Sequence, residues 1–348
     1  MLRCLELAGM ASGYTAPNPL VGAVLVYNNR IIGEGYHRIY GKAHAETVAI
    51  DAVKDKSLLK HATLYVNLEP CAHHGNTPPC AQRIVQENIP EVVIGMRDPS
   101  AKVSGKGINI LLEGGCSIRE NVLEPQCKEI NRRFIAFHEQ KRPYVILKWA
   151  RTLDGFIDKK RGKDAPIQPN WITNELAKRL VHRWRSQEQS ILVGINTVMK
   201  DNPRLNVREW QGKDPLRIVI DRDLIIRETL HLIQDPGPAM VFTDEDSDPV
   251  KAEKLALYPT EIIRVDFHHQ VLQQIMNHLY NRNILSLFVE GGAYTISRFM
   301  EADLWDEARV FTGNKTFHEG VKAPPMPVRK IHAMESLQDS HLMVFRNR

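Results

Sequence analysis

The sequence contains three potential zinc ligands, and bringing them together is the strongest constraint on its fold. His44 stands two residues before Glu46, and Cys71 and Cys80 follow with eight residues between them. Two thiolates and one imidazole leave the fourth tetrahedral position of a zinc ion open to water, as in catalytic zinc sites. Segments far apart in the chain must therefore meet at one point, and we expect one zinc ion per chain.

Glu46 gives this set of ligands its chemistry. A catalytic zinc lowers the pKa of its bound water to about 7, and a nearby carboxylate must then carry protons away from that water. Glu46 lies on a helix predicted for residues 43–53, close enough to reach the site without binding the metal. The arrangement is typical of zinc deaminases. A closed, structural zinc site would instead need a fourth protein ligand, for which His73, His74 or Cys116 could serve.

The composition excludes several classes of protein. A chain of 348 residues with 43% hydrophobic and 25% charged residues is typical of two ordinary globular domains. The net charge of +5 is spread along the chain, so no nucleic-acid partner is expected. No apolar run approaches the ~18 residues of a membrane span. Five cysteines indicate a reduced, cytoplasmic protein, in which Cys4, Cys116 and Cys127 are core residues.

The order of predicted elements indicates two α/β domains, at residues 1–140 and 143–348. The first begins with a helix that ends near Gly13, followed by a hairpin turning at Asn28 and Asn29. Alternating strands and helices then predict a three-layer domain that ends in a helix over residues 125–139. The second should contain a mixed sheet, because its last two predicted strands have no strong helix between them. Its predicted strands are residues 144–148, 190–194, 217–221, 240–243, 262–266, 285–290, 308–311 and 342–345.

A weaker signal lies in the second domain. Gly291 and Gly292 follow a predicted strand and precede a predicted helix, where backbone N–H groups can approach a phosphate. A pair of glycines is as often a tight turn, and the full dinucleotide-binding fingerprint is missing. By itself, this pattern assigns no cofactor.

Motifs of the first domain resemble the deaminase half of the bifunctional riboflavin-pathway deaminase/reductase family. They lie at residues 17–22, 33–37, 44–46, 68–71, 74–75 and 77–80. The spacing of the cysteines fits this family, whereas nucleoside and polynucleotide deaminases typically have two residues there. The resemblance implies a cytidine-deaminase-like fold and a diaminohydroxyphosphoribosylaminopyrimidine substrate that loses ammonia. It also implies that Asn18 and His73 contact the substrate, although Asn18 could simply fix a turn and His73 could be a solvated loop residue.

Motifs of the second domain resemble the reductase half of the same family, at residues 147–150, 153–155, 171–173, 197–198, 201–203, 220–221 and 290–292. The resemblance implies a dihydrofolate-reductase-like fold that uses NADPH to reduce the ribosyl group to ribityl. The cofactor contacts that it implies are Ala150, Trp171, Thr197, Asp201, Gly292, Ala293, Tyr294, Thr295, Ile296 and Ser297. The implied substrate contacts are Arg185, Leu205, Arg208 and Glu290, and the two arginines suit a phosphate.

Two positions depart from the family pattern. Asn76 stands where relatives usually have Lys or Arg, so a cationic contact with the phosphoribosyl group is in doubt there. Pro169 replaces a serine that contacts the substrate in many relatives, so that contact must come from the backbone or be missing.

Other assignments in the second domain stay open. Arg222 follows a predicted strand at a place where relatives often have a small polar residue that contacts the cofactor. An arginine there suits the 2′-phosphate of NADPH, but an exposed turn arginine paired with Asp221 or Asp223 is equally compatible. Lys148 and Asp154 are both candidate polar groups near the reacting carbon.

Two other functions are compatible with the zinc motif. The chain could be a tRNA or nucleotide deaminase with an unrelated C-terminal binding module, against which the cysteine spacing and the absence of a basic patch argue. It could also be a zinc-stabilised binding protein, which loss of zinc would unfold. The resemblance favours an enzyme for a small phosphorylated pyrimidine, with no nucleic-acid or membrane partner, which forms a homodimer or a larger homo-oligomer.

Overall fold

The computed structural model describes residues 1–72, 78–100, 104–162 and 165–347. The chain divides into two compact units, Met1–Arg142 and Pro143–Arg348. The predictions for His73 and Asn76, and the alternative ligand His74, lie outside the described residues. Within these ranges, no helix combines the length and the apolar character that crossing a membrane requires.

The first unit is built on a mixed sheet. Its strands are β1 (Gly22–Tyr27), β2 (Arg30–Tyr36), β3 (Thr63–Val66), β4 (Glu91–Ile94) and β5 (Ser117–Arg119). They run in the order β2-β1-β3-β4-β5, with β1 antiparallel to both neighbours and the other pairs parallel. The predicted hairpin is confirmed, because Asn28 and Asn29 adopt φ values of 49° and 60° between β1 and β2, as a type I′ turn requires.

Helices cover both faces of this sheet. They are α1 (Leu2–Gly9), α2 (Ala45–Ala52), α3 (Cys80–Gln86), α4 (Lys106–Glu113), α5 (Glu124–Ile130) and α6 (Arg132–Gln140), with a 3₁₀ helix at Lys56–His61. Ala23 and Leu25 of β1 pack in one apolar cluster with Ala49 of α2. Val24, between them, packs with Cys4 of α1. Since alternate residues of a strand face opposite sides, the predicted three-layer arrangement is confirmed.

The prediction of one helix over residues 125–139 is wrong. The chain leaves the helical conformation at Asn131, where φ is −101° and ψ is 14°, so that α5 and α6 are separate. The Asn131 side chain accepts from the backbone N–H of Leu20 at 2.8 Å and donates to the Leu20 carbonyl at 3.0 Å. This long-range pair at the break has no signature in the local sequence.

The second unit contains a nine-stranded mixed sheet. Its strands are β6 (Tyr144–Arg151), β8 (Ser190–Gly194), β9 (Leu216–Ile220), β10 (Ala239–Asp244), β11 (Thr260–Val265), β12 (Ser286–Val289), β13 (Glu307–Gly313), β15 (Ile331–Leu337) and β16 (Ser340–Arg346), and a separate two-stranded sheet pairs β7 (Phe156–Lys159) with β14 (Gly320–Lys322). The order is β11-β10-β9-β8-β12-β6-β13-β16-β15. The sheet is parallel except for the last two pairs, as the predicted antiparallel end requires.

Three of these strands were not predicted, namely β7, β14 and β15. Every residue of β15 except the last is exposed, so its sequence shows no alternation of apolar and polar residues. Periodicity reveals a strand through its buried face. A strand whose side chains are exposed leaves no such pattern.

In the parallel part of the sheet, residues from distant segments lie together at the carboxyl ends of the strands. The helices of this unit are α7 (Glu175–Arg185), α8 (Ile195–Asp201), α9 (His231–Gln234), α10 (Pro249–Leu255), α11 (Val271–Asn281) and α12 (Ala293–Glu301). Helix α8 directly follows β8, Arg222 follows β9, and Glu290 follows β12. Because parallel strands end at the same edge, these segments lie together, at the place where α/β proteins commonly bind ligands.

Each unit has its own apolar core, which leads to a test of independent folding. In the second unit, Val145, Phe242 and Phe299 belong to one buried cluster. We expect a fragment from Pro143 to Arg348 to unfold in urea in a single cooperative transition, followed by far-ultraviolet circular dichroism. An insoluble fragment, or one with a broad non-cooperative transition, would show that the unit depends on the rest of the chain.

Candidate active sites

The three predicted zinc ligands meet at the beginnings of two helices. His44 is the N-cap residue of α2, and Cys80 is the first residue of α3. His44 Nδ1 lies 3.5 Å from Cys71 Sγ and 3.3 Å from Cys80 Sγ, and the three ligand atoms lie within 4.8 Å of one another. Cys116, the alternative fourth ligand, is a core residue whose thiol donates to the Ile89 carbonyl at 3.2 Å. In the described part of the chain, no other His, Cys, Asp or Glu belongs to the ligand cluster.

The Cys71 sulfur is prepared for metal binding by hydrogen bonds from Cys80. The Cys80 thiol donates to the Cys71 sulfur, which lowers the pKa of Cys71 and raises the pKa of Cys80. The backbone N–H of Cys80, at the start of α3, also donates to Cys71 Sγ at 3.3 Å. Zinc binds thiolates and neutral imidazole, so the donor set fits the metal, and binding releases protons.

Glu46 lies against the ligands in the first turn of α2. Its side chain is almost completely buried, with 4% exposed, and its carboxyl group forms a hydrogen bond with the Cys80 side chain. Burial, with a smaller contribution from the Cys71 thiolate, raises the pKa of Glu46 to about 7. The carboxyl group therefore lies beside the metal ligands as the predicted proton carrier requires.

Asn18 is held in place by a histidine to which the sequence motifs assigned no role. His37 Nδ1 lies 3.1 Å from the Ala43 carbonyl oxygen, which can only accept, so Nδ1 carries the ring proton. His37 Nε2 then accepts from the Asn18 amide nitrogen at 3.1 Å. The His37 ring stands edge-on to the His44 ring, with 5.5 Å between centroids. This chain of contacts ties Asn18 to the metal ligands.

A buried carboxylate, Glu69, fixes the backbone beside the zinc ligands. It accepts from the backbone N–H groups of Asp98, Gly105, Gly107 and Ile108 at 3.0–3.4 Å. A Cβ atom on Gly107 would lie 1.9 Å from a backbone carbonyl oxygen, so a glycine is required there. The sequence placed Glu69 in a motif but did not reveal this role, since its partners lie 29–39 residues away in the chain.

Two adjacent cavities lie at the carboxyl edge of the sheet in the second unit. The first, of about 660 Å³, is lined by most of the predicted contacts, namely Ala150, Trp171, Arg185, Thr197, Asp201, Leu205, Arg208, Glu290, Gly292, Ala293, Tyr294 and Ile296. The second, of about 740 Å³, is lined by Thr197, Arg222, Gly292, Tyr294 and Thr295 among others. Thr197, Gly292 and Tyr294 line both cavities. An extended ligand such as a dinucleotide can therefore occupy both.

Gly292 lies where these two cavities meet, and Gly291 directly precedes it. A Cβ atom on Gly291 would lie 2.6 Å from the Val193 side chain. Gly292 has a φ of +60°, and a Cβ atom there would lie 3.2 Å from Thr197 Oγ1. Helix α12 begins at the next residue, so its free N–H groups lie beside the cleft, as in anion sites at helix N-termini.

Glu290 is a buried carboxylate in the wall of the first cavity. Arg185 donates to both of its oxygens, at 2.6 and 3.0 Å, and Lys148 Nζ lies 3.4 Å away. Burial alone would raise the pKa of Glu290, but the two cations outweigh it and lower the pKa to about 2. The carboxylate therefore stays ionised in the cavity wall.

Asp201 is paired with an arginine that sequence reasoning missed. Arg161 Nη2 donates to Asp201 Oδ1 at 2.6 Å, and the same guanidinium binds both oxygens of Asp158. All three residues line the first cavity. The predicted cofactor contact is thus part of an ion-pair network, which no local motif signals because Arg161 and Asp201 are forty residues apart.

Arg222 lines the second cavity and makes an ion pair with an unexpected partner. Its Nε lies 3.1 Å from Asp244 Oδ2, and its side chain is 52% exposed. The alternative partner Asp221 instead accepts from the backbone N–H groups of Ile225 and Ile226. The exposed guanidinium retains donors that can reach a ligand in the cavity.

Three positions singled out from the sequence either do not line the first cavity or lack the expected side-chain group. Ser297 lies on α12 but lines neither cavity. Asp154, a candidate group near the reacting carbon, accepts from the backbone N–H groups of Phe317 and His318 and does not line the first cavity. Pro169 does line it, but a proline offers neither a hydroxyl group nor a backbone N–H, so only its carbonyl is available.

Comparison with known protein families assigns both halves of the chain. Residues 1–96 match the cytidine and deoxycytidylate deaminase zinc-binding region, and residues 143–327 match the RibD C-terminal domain. The match to the RibD C-terminal domain excludes an unrelated C-terminal binding module. Together, the two matches favour an enzyme over a zinc-stabilised binding protein.

Similar proteins cover nearly the whole chain. The riboflavin biosynthesis protein RibD of Aquifex aeolicus is 37% identical over 97% of this chain and 92% of its own. The deaminase/reductase of Thermotoga maritima superposes with a TM-score of 0.87 at 36% identity, over 99% of this chain and 97% of that chain. RibD of Acinetobacter baumannii gives a TM-score of 0.88 at 29% identity, with the same coverage. The chain therefore belongs to the RibD family of bifunctional riboflavin biosynthesis proteins.

Proposed function

We propose that this chain catalyses two reactions of riboflavin synthesis. The first unit deaminates 2,5-diamino-6-(5-phosphoribosylamino)pyrimidin-4(3H)-one, and the second reduces 5-amino-6-(5-phosphoribosylamino)uracil with NADPH. The observation that carries this function is the meeting of His44, Cys71 and Cys80 beside buried Glu46, in a chain whose second half is a RibD reductase domain. The chain is a zinc-dependent deaminase and an NADP-dependent reductase.

In the first unit, we assign His44, Cys71 and Cys80 as ligands and Glu46 as the proton carrier. When bound by these residues, a zinc ion would supply the Lewis acid that activates a water molecule. Glu46 would move two protons in turn: the first from that water to the ring nitrogen, and the second from the same oxygen, once it is bonded to carbon, to the departing amine, which leaves as ammonia. The bond from Asn18 to His37 uses the amide nitrogen, which leaves the amide oxygen to accept from an amino group of the pyrimidine.

In the second unit, we assign the first cavity to the phosphorylated pyrimidine and the nicotinamide, and the second cavity to the adenosine part of the cofactor. NADPH supplies the hydride, and the protein orients the two molecules. The ionised Glu290 can accept from sugar hydroxyl groups. Arg208, which is 38% exposed in the first cavity, can bind the 5′-phosphate.

Two broader expectations stay predictions. A homodimer or larger homo-oligomer was suggested by the family resemblance, and a cytoplasmic location by the low and odd number of cysteines. Size-exclusion chromatography with light scattering would measure the first.

The zinc assignment is tested by Cys80→Ser. Because this change removes one of three protein ligands, we expect the zinc content, about one ion per chain in the wild type, to fall below half, together with deaminase activity. Cys116→Ala is the matched control, since Cys116 lies outside the ligand set, and it should keep its zinc. Full metal content and full activity in Cys80→Ser would disprove the assignment. Zinc is measured by elemental analysis.

The role of Glu46 is tested by Glu46→Gln, which keeps the shape of the side chain but cannot carry a proton. Deaminase activity should fall at least ~10²-fold, the usual scale for acid–base catalysis, while zinc content is retained. Reductase activity on supplied 5-amino-6-(5-phosphoribosylamino)uracil is the internal control and should stay within twofold of the wild type. A parallel loss of both activities would contradict two separate sites.

The role of Arg222 is tested by Arg222→Ala. If its guanidinium binds the 2′-phosphate, kcat/KM with NADPH should fall by an amount equivalent to about 1.5–3 kcal/mol, the contribution of a hydrogen bond to a charged group. The value with NADH, which lacks that phosphate, should barely change. Asp244→Asn controls for loss of the ion pair alone. An equal fall with both cofactors, or no fall, would remove Arg222 from the cofactor site.

A further inference from the structure

One face of helix α7 carries three polar side chains directed at the wall of the first cavity. Lys178, His182 and Arg185 lie four and three residues apart, so they stand one above another on the helix. Their side chains are largely buried, with 21%, 2% and 11% exposed. A row of buried polar side chains needs partners, and its partners lie in the segment 206–209.

This segment, which we call the 206–209 loop, is attached to α7 at three successive points. The contacts are from Arg185 Nη1 to the Asn206 carbonyl at 3.1 Å, from the backbone N–H of Arg208 to His182 Nδ1 at 3.3 Å, and from Lys178 Nζ to Glu209 Oε1 at 2.8 Å. The middle contact holds the backbone of Arg208 itself. The other two attach the residues on either side.

The Arg208 guanidinium has donors left to bind a ligand. Arg185 already directs Nε and Nη2 to Glu290, and Nη1 to the loop. Arg208 donates one bond, to the Asn206 side chain at 3.2 Å, and its distance to Glu209 is 4.0 Å. Its side chain lines the first cavity. A flexible arginine binds a phosphate well when the backbone that carries it is fixed.

We propose that His182 is a positioning residue that holds Arg208 where the phosphate of the pyrimidine substrate binds. This inference rests on the proposed function, since it requires a phosphorylated substrate in the first cavity. It goes beyond that function by assigning substrate affinity to a side chain that does not contact the substrate.

The hydrogen bond requires a neutral ring. Because Nδ1 accepts the N–H of Arg208, the ring proton lies on Nε2, which faces Glu209 Oε1 at 3.9 Å. Burial, together with the charges of Arg185 and Arg208, lowers the pKa of His182 to about 4, against the smaller opposing effects of Glu209 and Glu290. The ring is therefore neutral, and Nδ1 can accept, throughout the neutral pH range.

Two substitutions at His182 separate the hydrogen bond from the packing. Asn places an acceptor oxygen near the position of Nδ1, whereas Leu has a similar size and no acceptor. His182→Leu should raise the KM for 5-amino-6-(5-phosphoribosylamino)uracil about tenfold, equivalent to about 1.4 kcal/mol. His182→Asn should stay within about threefold of the wild type, as expected for a restored hydrogen bond. The KM for NADPH and the deaminase activity should not change in either variant.

The dependence on Arg208 is tested with a double mutant. If His182 acts through Arg208, adding His182→Leu to Arg208→Ala should change that KM less than twofold, whereas independent effects would multiply. A multiplied effect, a fall in kcat alone, or an equal rise in both KM values would overturn the proposal. Circular dichroism and thermal unfolding show whether each variant is folded. Should His182→Leu not fold, His182→Gln replaces it, because its acceptor lies near Nε2 instead of Nδ1.

The outcome for the wild type separates this inference from the proposed function. A wild-type protein that does not oxidise NADPH with the phosphorylated uracil would refute the proposed reductase function. A wild-type protein with normal turnover, combined with a His182→Leu protein of unchanged KM, would refute the role of His182 and leave the reductase function intact.

Discussion

Compensation of a buried carboxylate is the interaction on which the rest of each unit depends. A carboxylate removed from water is strongly disfavoured unless donors or cations surround it. In the first unit, backbone N–H groups from one segment converge on Glu69, two residues before Cys71. In the second, Arg185 and Lys148 surround Glu290, directly before the glycine pair at the cleft. In both units, these bonds fix a carboxylate that stands one or two residues before functional residues in the chain.

Neutral histidines form a second common feature of the two units. His37 accepts from the side chain of Asn18, and His182 accepts from the backbone of Arg208. Burial lowers the pKa of both rings, so each keeps an unprotonated nitrogen at neutral pH. A neutral histidine is well suited to this task, because the proton on one ring nitrogen determines that the other one accepts. Each histidine thus forms a hydrogen bond with a residue that we assign to substrate binding, Asn18 or Arg208.

The sequence alone was sufficient to predict the cluster of His44, Cys71 and Cys80 and most of the architecture. Zinc has strict demands on the type and number of its ligands, so His44, Cys71 and Cys80 could be recognised without knowing what folds between them. Glu46 followed from its position beside His44. Strands and helices with a buried face were predicted from their periodicity, and most of the second-unit residues that the family motifs indicated do line one of the two cavities. Residue type, local spacing and burial pattern are all properties that a linear sequence contains.

Only the tertiary structure decided which charged and polar side chains are paired. Asp201 binds Arg161, Arg222 binds Asp244, and His182 binds the backbone of Arg208. These pairings depend on distances between segments that the assembled sheet brings together, and none has a sequence spacing that predicts it. The strand Ile331–Leu337 was not predicted either. Its side chains are exposed, and it forms a strand through its pairing with β16. Local chemistry is encoded in the order of residues, whereas the partner of each charge is set by the packing of the whole unit.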